Sequence, residues 1–209
     1  MEKSKRKKSK LYTRRAFLQG MGGGAAGAAL ATRFLGHGLA ECQEGVSTAP
    51  VYTSKSITFT LNGRSVSIEV EPRETLLEVL RQRLKMTGTK KVCDRGECGG
   101  CTVLLDGQPV YSCLFPAIRT DGKKVTTIEG LADGDALHPV QQAFIEKDGY
   151  QCGFCTPGFI MSSVALLNKN QIPSPADIKG ALSGHICRCG NYARIHEAVA
   201  AAATKTRKA

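Results

Sequence analysis

Hydrophobic and polar residues alternate along two early stretches of the chain. Residues 57–61 (Ile-Thr-Phe-Thr-Leu) and 66–70 (Val-Ser-Ile-Glu-Val) place an apolar side chain at every second position. A period of two is typical of a β-strand with one buried face. The Asn62-Gly63 pair between the stretches is a strong hairpin signal, so the two stretches are predicted to be antiparallel strands.

The apolar spacing then changes from two residues to three or four. Residues 75–84 carry Leu or Val at positions 76, 77, 79, 80 and 84, which predicts a helix. Residues 102–105 (Thr-Val-Leu-Leu) predict another strand, and the Asp106-Gly107 pair that follows predicts a second hairpin turn. The first half of the chain is therefore predicted to combine two hairpins with one helix.

Four short helices are predicted in the second half. Proline in the first turn and a Ser or Thr cap are typical helix starts. Such starts, together with apolar spacing, place the helices at 138–148, 157–167, 176–182 and 192–203. The predicted fold class is thus α+β, with a small four-helix bundle at residues 133–209 after the strand-rich part.

Cysteine spacing gives the first indication of chemistry. Eight of the nine cysteines lie after residue 92, and the ninth is Cys42. The first set has the C-x4-C-x2-C spacing of plant-type 2Fe–2S ferredoxins, with a distant fourth ligand; it consists of Cys93, Cys98, Cys101 and Cys113. Zinc fits this set less well because zinc sites usually use two separated pairs. Together with the predicted elements, this indicates a β-grasp ferredoxin-like domain at residues 56–132.

Glycines in the first cysteine loop have a physical purpose. A short loop that directs three thiolates at one cluster must turn sharply, and glycine accepts positive φ angles. Gly96, Gly99 and Gly100 provide this freedom. Successive backbone N–H groups in such a loop are expected to point at the sulfur atoms and offset their negative charge.

The second cysteine set lies on predicted loops at helix ends. Cys152 and Cys155 are followed, after 31 residues, by Cys187 and Cys189. Helix N-termini present free N–H groups that favour an anionic cluster. Four thiolates hold either zinc or a 2Fe–2S cluster, and disulfides are a third option. The spacing favours iron–sulfur and leaves zinc and disulfides open.

Residues 1–40 have the three parts of an export signal. A cationic start is followed by Arg14-Arg15, an apolar Gly- and Ala-rich run, and the small residues Gly38 and Ala40. The arginine pair followed by x-Phe-Leu resembles the bacterial twin-arginine signal. We therefore expect export of the folded protein to the periplasm by the twin-arginine machinery, with residues 41–55 as a linker that carries an unpaired Cys42.

Other interpretations of this segment fit less well. A membrane anchor is disfavoured because the apolar run is short, rich in glycine and interrupted by Arg33, so no stable membrane span is expected. A disordered basic tail would not explain the apolar run. Residues 20–25 match a dinucleotide-binding pattern, but no predicted strand precedes them. Lipidation of Cys42 is disfavoured because Glu41, rather than a small residue, precedes it.

The net charge of +11 is concentrated at the N-terminus. Residues 1–40 hold nine Lys and Arg against one acidic residue, whereas residues 41–209 hold 20 basic and 17 acidic residues. No basic stripe with interleaved aromatic residues is present in the sequence, so binding to nucleic acid is not expected.

Both cysteine sets resemble those of the molybdenum hydroxylase family, also called the xanthine oxidase family. The resemblance rests on residues 151–158 (Gln-Cys-Gly-Phe-Cys-Thr-Pro-Gly) with 187–189 (Cys-Arg-Cys), and on residues 93–103; it covers roughly residues 55–200. The chain is similar to the separate small iron–sulfur subunit, and the signal makes it most like that of a periplasmic aldehyde oxidoreductase. Members often read Gly-Asn-x-Cys-Arg-Cys-Thr-Gly-Tyr, where this chain has His185 and a Gly190-Asn191 pair.

The resemblance implies cofactors and partners. It implies two 2Fe–2S clusters here, and an FAD subunit and a large molybdopterin subunit as partners. The Cys152 cluster would face molybdenum and the Cys93 cluster would face the flavin, so that electrons pass in that order. Gln151 and Cys189 would lie beside the pterin. No residue of this chain would be catalytic, because substrate oxidation occurs in the large subunit.

Several alternatives stay open. The same relay would serve a hydroxylase of a purine or an N-heterocycle. A stand-alone exported ferredoxin and a zinc-stabilised binding protein are rivals from other classes. With four cysteines available to the second set, His185 is expected at the surface or against a partner rather than as a ligand. Arg188 is expected either to tune the second cluster or to be a solvated side chain.

Overall fold

The first hairpin forms as the alternation predicts. The computed structural model describes residues 54–206, so the predicted signal, most of the linker and Cys42 lie outside the described residues. Strands β1 (Lys55–Leu61) and β2 (Arg64–Val70) are antiparallel, with Ile57 opposite Ile68. The φ angles of Asn62 and Gly63 are 49° and 80°, as a two-residue hairpin turn requires.

Helix α1 follows the predicted position but changes its geometry along its length. It begins as an α-helical turn, Leu76–Glu78, and continues as a π-helical segment, Val79–Arg83. Thr75 caps it: the Thr75 hydroxyl accepts from the backbone N–H of Glu78, and the Glu78 carboxylate accepts from the N–H of Thr75. This reciprocal capping box satisfies two N–H groups that the helix itself leaves free. On the predicted apolar face, Leu76, Leu77, Val79 and Leu80 are buried and Leu84 is half-buried.

A fifth, unpredicted strand completes the sheet. Strands β3 (Thr102–Leu105) and β4 (Gln108–Tyr111) form the predicted second hairpin. Strand β5 (Lys124–Thr126) inserts between β1 and β3, parallel to β1 and antiparallel to β3, so the strand order is β2-β1-β5-β3-β4. Three residues are too few to show a period of two, which is why the alternation did not indicate β5.

The four predicted helices are present in the second half. They are α2 (Pro139–Glu146), α3 (Thr156–Lys169), α4 (Pro175–Leu182) and α5 (Tyr192–Thr206). Their shared core contains Phe144, Phe159, Met161 and Ile195, all at most 1% exposed. Among the described residues, no helix combines the length and apolarity needed to cross a membrane.

The helices also pack against the sheet. Leu104 of β3 belongs to the apolar core of the helical part. A Cβ on Gly158, in the first turn of α3, would collide with the carbonyl oxygen of Gly99 in the first cysteine loop. The α+β class is therefore confirmed. The backbone of α3 packs directly against the backbone of the first cysteine loop. The domain boundary at residue 132 stays a prediction.

Candidate metal centres

The first cysteine set is assembled by the β3–β4 hairpin. Cys93, Cys98 and Cys101 lie on the loop before β3, and Cys113 follows β4. Thr102 lies opposite Tyr111 in the hairpin. This pairing brings Cys113, just after β4, close to Cys101, just before β3. The four thiols form two hydrogen-bonded pairs, Cys93 with Cys98 and Cys101 with Cys113. All four predicted ligands of the first set are thus brought together.

The loop turns as the glycine content predicts. Gly96 and Gly99 have φ angles of 78° and 69°, and Asp94 also adopts a positive φ of 58°. Gly100 has a different reason to be glycine, because a Cβ there would lie 3.0 Å from the Cγ2 of Val92. These turns aim backbone N–H groups at sulfur: the N–H of Arg95 donates to Cys93 Sγ at 3.5 Å.

These N–H groups favour the ligand form of Cys93. Burial raises the pKa of the Cys93 thiol, but hydrogen bonds from the backbone N–H of Arg95, the Cys98 thiol and the N–H of Glu97 outweigh it and lower the pKa to about 7. A thiolate, not a thiol, is the metal ligand. The loop therefore stabilises the thiolate form of Cys93 through its backbone N–H groups and the Cys98 thiol.

Cys113 is in the opposite situation. Burial, its hydrogen bond with Cys101 and the negative charges of neighbouring thiols raise the pKa of Cys113 to about 12. Four clustered thiolates repel one another in a buried site, and a bound cation removes that penalty. The first set thus fits a metal centre better than four free thiols.

The second cysteine set joins two loops that precede helices. Cys152 and Cys155 precede α3, and Cys187 and Cys189 precede α5. The thiols again form two pairs, Cys152 with Cys189 and Cys155 with Cys187. Burial and the hydrogen bond with Cys187 raise the pKa of Cys155 to about 12. The same argument for a bound cation applies here.

The loop before α5 provides backbone support for Cys187. The N–H of Asn191 donates to Cys187 Sγ at 3.4 Å, and the Asn191 side chain donates to the carbonyl oxygen of Asp148 at 2.8 Å. The N–H of Cys187 donates to the Tyr192 hydroxyl at 2.9 Å. Asn191 therefore connects the second set to the turn after α2.

Pairing of the thiols bears on the choice of metal. In a 2Fe–2S cluster each iron takes two protein ligands, as the two-for-two replacement in Rieske centres shows. Both sets consist of two adjacent pairs. Between residues 54 and 206, the eight cysteines form no disulfide. Two adjacent thiol pairs fit a two-iron cluster in each set.

The two centres differ in exposure. Cys98, Cys101 and Cys113 are buried, whereas Cys152 and Cys189 are exposed. Gln151, next to Cys152, and Arg188, next to Cys189, are also exposed. The second centre therefore opens to the surface on the side of Cys152 and Cys189. The placement of Gln151 and Cys189 beside a pterin stays a prediction.

The expected surface or partner-facing position of His185 was wrong. His185 is 5% exposed, and its Nε2 lies 3.2 Å from Thr102 Oγ1 and 3.1 Å from Ser162 Oγ. Its backbone N–H donates to the carbonyl oxygen of Leu182, so the chain after α4 folds back and inserts the ring between the sheet and α3. Burial lowers the pKa of His185 to about 4, which favours the neutral ring.

Thr102 and Ser162 were not identified from the sequence. Both side chains are buried and hold the His185 ring. One available signal was the Ser162-Ser163 pair, which interrupts an otherwise apolar stretch of the predicted helix. Buried hydroxyls in such a stretch need hydrogen-bond partners, so a polar partner from elsewhere in the fold was to be expected.

Comparison with known protein families gives two adjacent matches. Residues 59–128 match a family described as the 2Fe-2S iron-sulfur cluster binding domain, and residues 127–200 match one described as the [2Fe-2S] binding domain. The first match spans the sheet and the first cysteine set. The second spans the helices and the second cysteine set. Each set of four thiols therefore lies in a matched 2Fe–2S domain.

Two similar proteins are named as an iron–sulfur-binding subunit and a small subunit. The aldehyde oxidoreductase iron-sulfur-binding subunit PaoA of Escherichia coli is 47% identical over 162 residues, 70% of this chain and 71% of that protein. The nicotine 6-hydroxylase small subunit of Paenarthrobacter nicotinovorans is 48% identical over 139 residues, 66% of this chain and 84% of that protein.

Solved structures agree with these relatives. Quinoline 2-oxidoreductase from Pseudomonas putida 86 contains a chain with a TM-score of 0.71 and 38% identity, and the match covers 75% of this chain and 98% of that one. The aldehyde oxidoreductase of Desulfovibrio desulfuricans has the same TM-score and 42% identity, but this chain spans only 17% of that one. The chain belongs to the 2Fe–2S iron–sulfur subunits of the molybdenum hydroxylase family, which are electron-transfer rather than catalytic subunits of oxidoreductases.

Proposed function

We propose that the chain is the electron-transfer subunit of a periplasmic aldehyde oxidoreductase, between a large molybdopterin subunit and an FAD subunit. The observation that carries the proposal is that two complete four-cysteine sets meet through one backbone hydrogen bond, from the N–H of Ile186 to the carbonyl oxygen of Cys98, at 3.1 Å. Cys98 of the first set therefore accepts this hydrogen bond, and Cys187 of the second set directly follows the donor residue, Ile186.

The chain's own residues would hold the clusters and orient them toward the partners. The first would be held by Cys93, Cys98, Cys101 and Cys113, and the second by Cys152, Cys155, Cys187 and Cys189. When bound, each 2Fe–2S cluster exchanges one electron at a time at a potential tuned by charge, hydrogen bonds and exposure. The exposed Cys152–Cys189 side supports a position of the second centre next to the molybdopterin subunit, with Gln151 beside the pterin and the first centre toward FAD.

The first test is metal content and low-temperature EPR of the dithionite-reduced chain. Two clusters predict about four irons per chain and two distinguishable signals. About two irons and one signal would leave only the first centre and refute the relay. A colourless chain containing zinc would refute both centres in favour of a zinc-stabilised binding protein. A stand-alone ferredoxin predicts that a tagged chain purifies without large subunits.

Electron flow is tested by replacing one ligand of the second set. Cys155→Ser in the assembled complex should stop transfer from substrate to flavin, because Cys155 is paired with Cys187 and the second cluster loses a ligand. Cys42→Ser is the matched control, since Cys42 is expected to be unpaired in the linker and the variant should retain full transfer. Unchanged turnover of Cys155→Ser with the normal acceptor would refute the proposed route.

The aldehyde substrate is supported by the 47% identity to PaoA, whose name specifies an aldehyde oxidoreductase subunit. An N-heterocycle is the second candidate, because relatives at 48% and 38% identity are named for nicotine and quinoline. Turnover of the purified complex with a panel of aldehydes and N-heterocycles distinguishes the two. Activity confined to N-heterocycles would contradict the aldehyde proposal and leave the relay intact.

Export is tested at the arginine pair. Changing both Arg14 and Arg15 to Lys should keep the protein in the cytoplasm, because the twin-arginine signal is read at these residues. The control changes Lys7 and Lys8 to Arg, which preserves the charge outside the pair. Normal periplasmic recovery of the Arg14 and Arg15 variant would overturn the localisation.

A further inference from the structure

We propose that His185 is a positioning residue that holds the backbone contact between the two centres and thereby sets the electronic coupling between their clusters. This inference rests on the proposed function, because it requires a cluster in each cysteine set. His185 itself is no ligand, since each set has four cysteines.

The contact that His185 would hold is short and lies beside two buried cysteines. The N–H of Ile186 donates to the carbonyl oxygen of Cys98 at 3.1 Å. Cys98 belongs to the first set, and Ile186 directly precedes Cys187 of the second; these two cysteines are 8% and 6% exposed. One hydrogen bond and a few main-chain bonds thus connect a ligand of one centre to a ligand of the other.

His185 directly precedes Ile186, the donor of this contact, and its ring contacts side chains from both the sheet and α3. Its Nε2 lies 3.2 Å from Thr102 Oγ1, next to Cys101, and 3.1 Å from Ser162 Oγ on α3. The Thr102 hydroxyl donates its own proton to the carbonyl oxygen of Gly99 at 2.7 Å. Both hydroxyls therefore lie within hydrogen-bond distance of the same ring nitrogen. The ring ties the loop of the first centre to the helix that follows Cys155.

Packing leaves the ring little freedom. Its centroid lies 4.9 Å from that of Phe159, and a Cβ on Gly99 would lie 2.6 Å from its Cδ2 atom. The three polar side chains of the network are at most 5% exposed. Removing the imidazole would therefore leave a cavity and take one hydrogen-bond partner from each of the two buried hydroxyls. The Ile186–Cys98 contact would lose the side chain that anchors it.

The full chain with both clusters loaded is compared in five forms: wild type, His185→Ala, His185→Gln, Ser162→Ala and His196→Ala. Glutamine is uncharged, and its amide reaches about as far from the backbone as Nε2 and offers both a donor and an acceptor to the two hydroxyls. Ser162→Ala removes one partner of the ring without touching a cysteine loop. His196→Ala is the matched control, because His196 lies on α5 outside this network.

Two measurements report on the contact besides activity. Hydrogen–deuterium exchange of the peptide containing Ile186 reports on its hydrogen bond to Cys98. EPR compares samples with one and with both clusters reduced, and magnetic interaction splits or broadens the signals when both are reduced. A purely structural role for His185 would lower thermal stability but would leave the splitting unchanged once the chain is folded and loaded.

We expect His185→Ala to lose exchange protection at Ile186 and to lose the magnetic splitting. Ser162→Ala should show a smaller loss of both, His185→Gln should restore both, and His196→Ala should match wild type. If His185→Ala does not load iron, exchange protection at Ile186 and magnetic splitting are compared between Ser162→Ala and His196→Ala, and this comparison tests the inference. Splitting and protection at wild-type level in the loaded variants would overturn the inference, as would a wild type with four irons and no splitting. A wild type without two clusters would instead refute the proposed function.

Discussion

Gly158→Ala provides a sharp test of how the helical part meets the first centre. A Cβ at residue 158 would collide with the carbonyl oxygen of Gly99 and lie 3.0 Å from the Gly99 carbonyl carbon and 3.1 Å from Gly100 Cα. All three atoms belong to the backbone between Cys98 and Cys101, so no side-chain rotation relieves the clash. Either α3 or the loop that holds the first centre must shift.

The sign of the effect separates this contact from ordinary helix propensity. Glycine-to-alanine in a helix stabilises by roughly 0.5–1 kcal/mol where space is free. Overpacking costs about 1–3 kcal/mol, so the free energy of unfolding should fall by about 1–2 kcal/mol. For a chain of this size, about 2–4 °C of melting temperature corresponds to each kcal/mol. We expect the melting temperature of Gly158→Ala to fall by about 2–8 °C.

Gly180→Ala is the matched control. Gly180 lies in α4, and a Cβ there would meet no atom within 4 Å. Its melting temperature should rise by about 1–4 °C, because only the propensity gain remains. Thermal unfolding of the iron-loaded chains is followed by circular dichroism at one scan rate, since cluster loss makes the transition irreversible. The EPR signal of the first cluster should change in Gly158→Ala alone. A stabilised Gly158→Ala with unchanged EPR would refute the close packing of α3 on the first cysteine loop.

Three further predictions concern the core, pH and iron. Phe159→Ala should lower the free energy of unfolding by about 3–5 kcal/mol, because Phe159 is 0% exposed; denaturant unfolding measures it, and a loss below 1 kcal/mol would contradict the packing. Burial lowers the pKa of folded His185 to about 4, below about 6.5 for an unfolded histidine. The contribution of His185 to the free energy of unfolding should therefore be fully present above pH 6.5. It should decrease as the pH falls toward 4, by about 2 kcal/mol between pH 7 and 5. His185→Asn should flatten this dependence, and equal slopes in melting experiments would be inconsistent with it. When iron is removed in air, the first disulfide to form should join Cys152 and Cys189, because both are exposed and hydrogen-bonded to each other. Peptide mass mapping identifies this disulfide, and a first disulfide elsewhere would argue against the pairing of these two thiols.

Local sequence patterns predicted most of the secondary-structure elements. The alternation at residues 57–61 and 66–70, the Asn62-Gly63 turn and the helix starts correctly predicted elements that depend on neighbours a few residues apart. The cysteine spacing likewise indicated which four thiols form each set. These features were readable because backbone conformation and short-range ligand geometry are encoded within one loop or one element.

Tertiary structure decided how these pieces meet. Strand β5 became visible only through its pairing with β1 and β3, and the pairing of Cys155 with Cys187 spans two loops. The sequence predicted a surface position for His185, yet it bonds to Thr102, 83 positions earlier in the chain. No local period records such a contact, because it arises from the packing of α3 and the chain after α4 onto the sheet. The sequence by itself therefore indicated the two cysteine sets, and only the packing determined how close they lie.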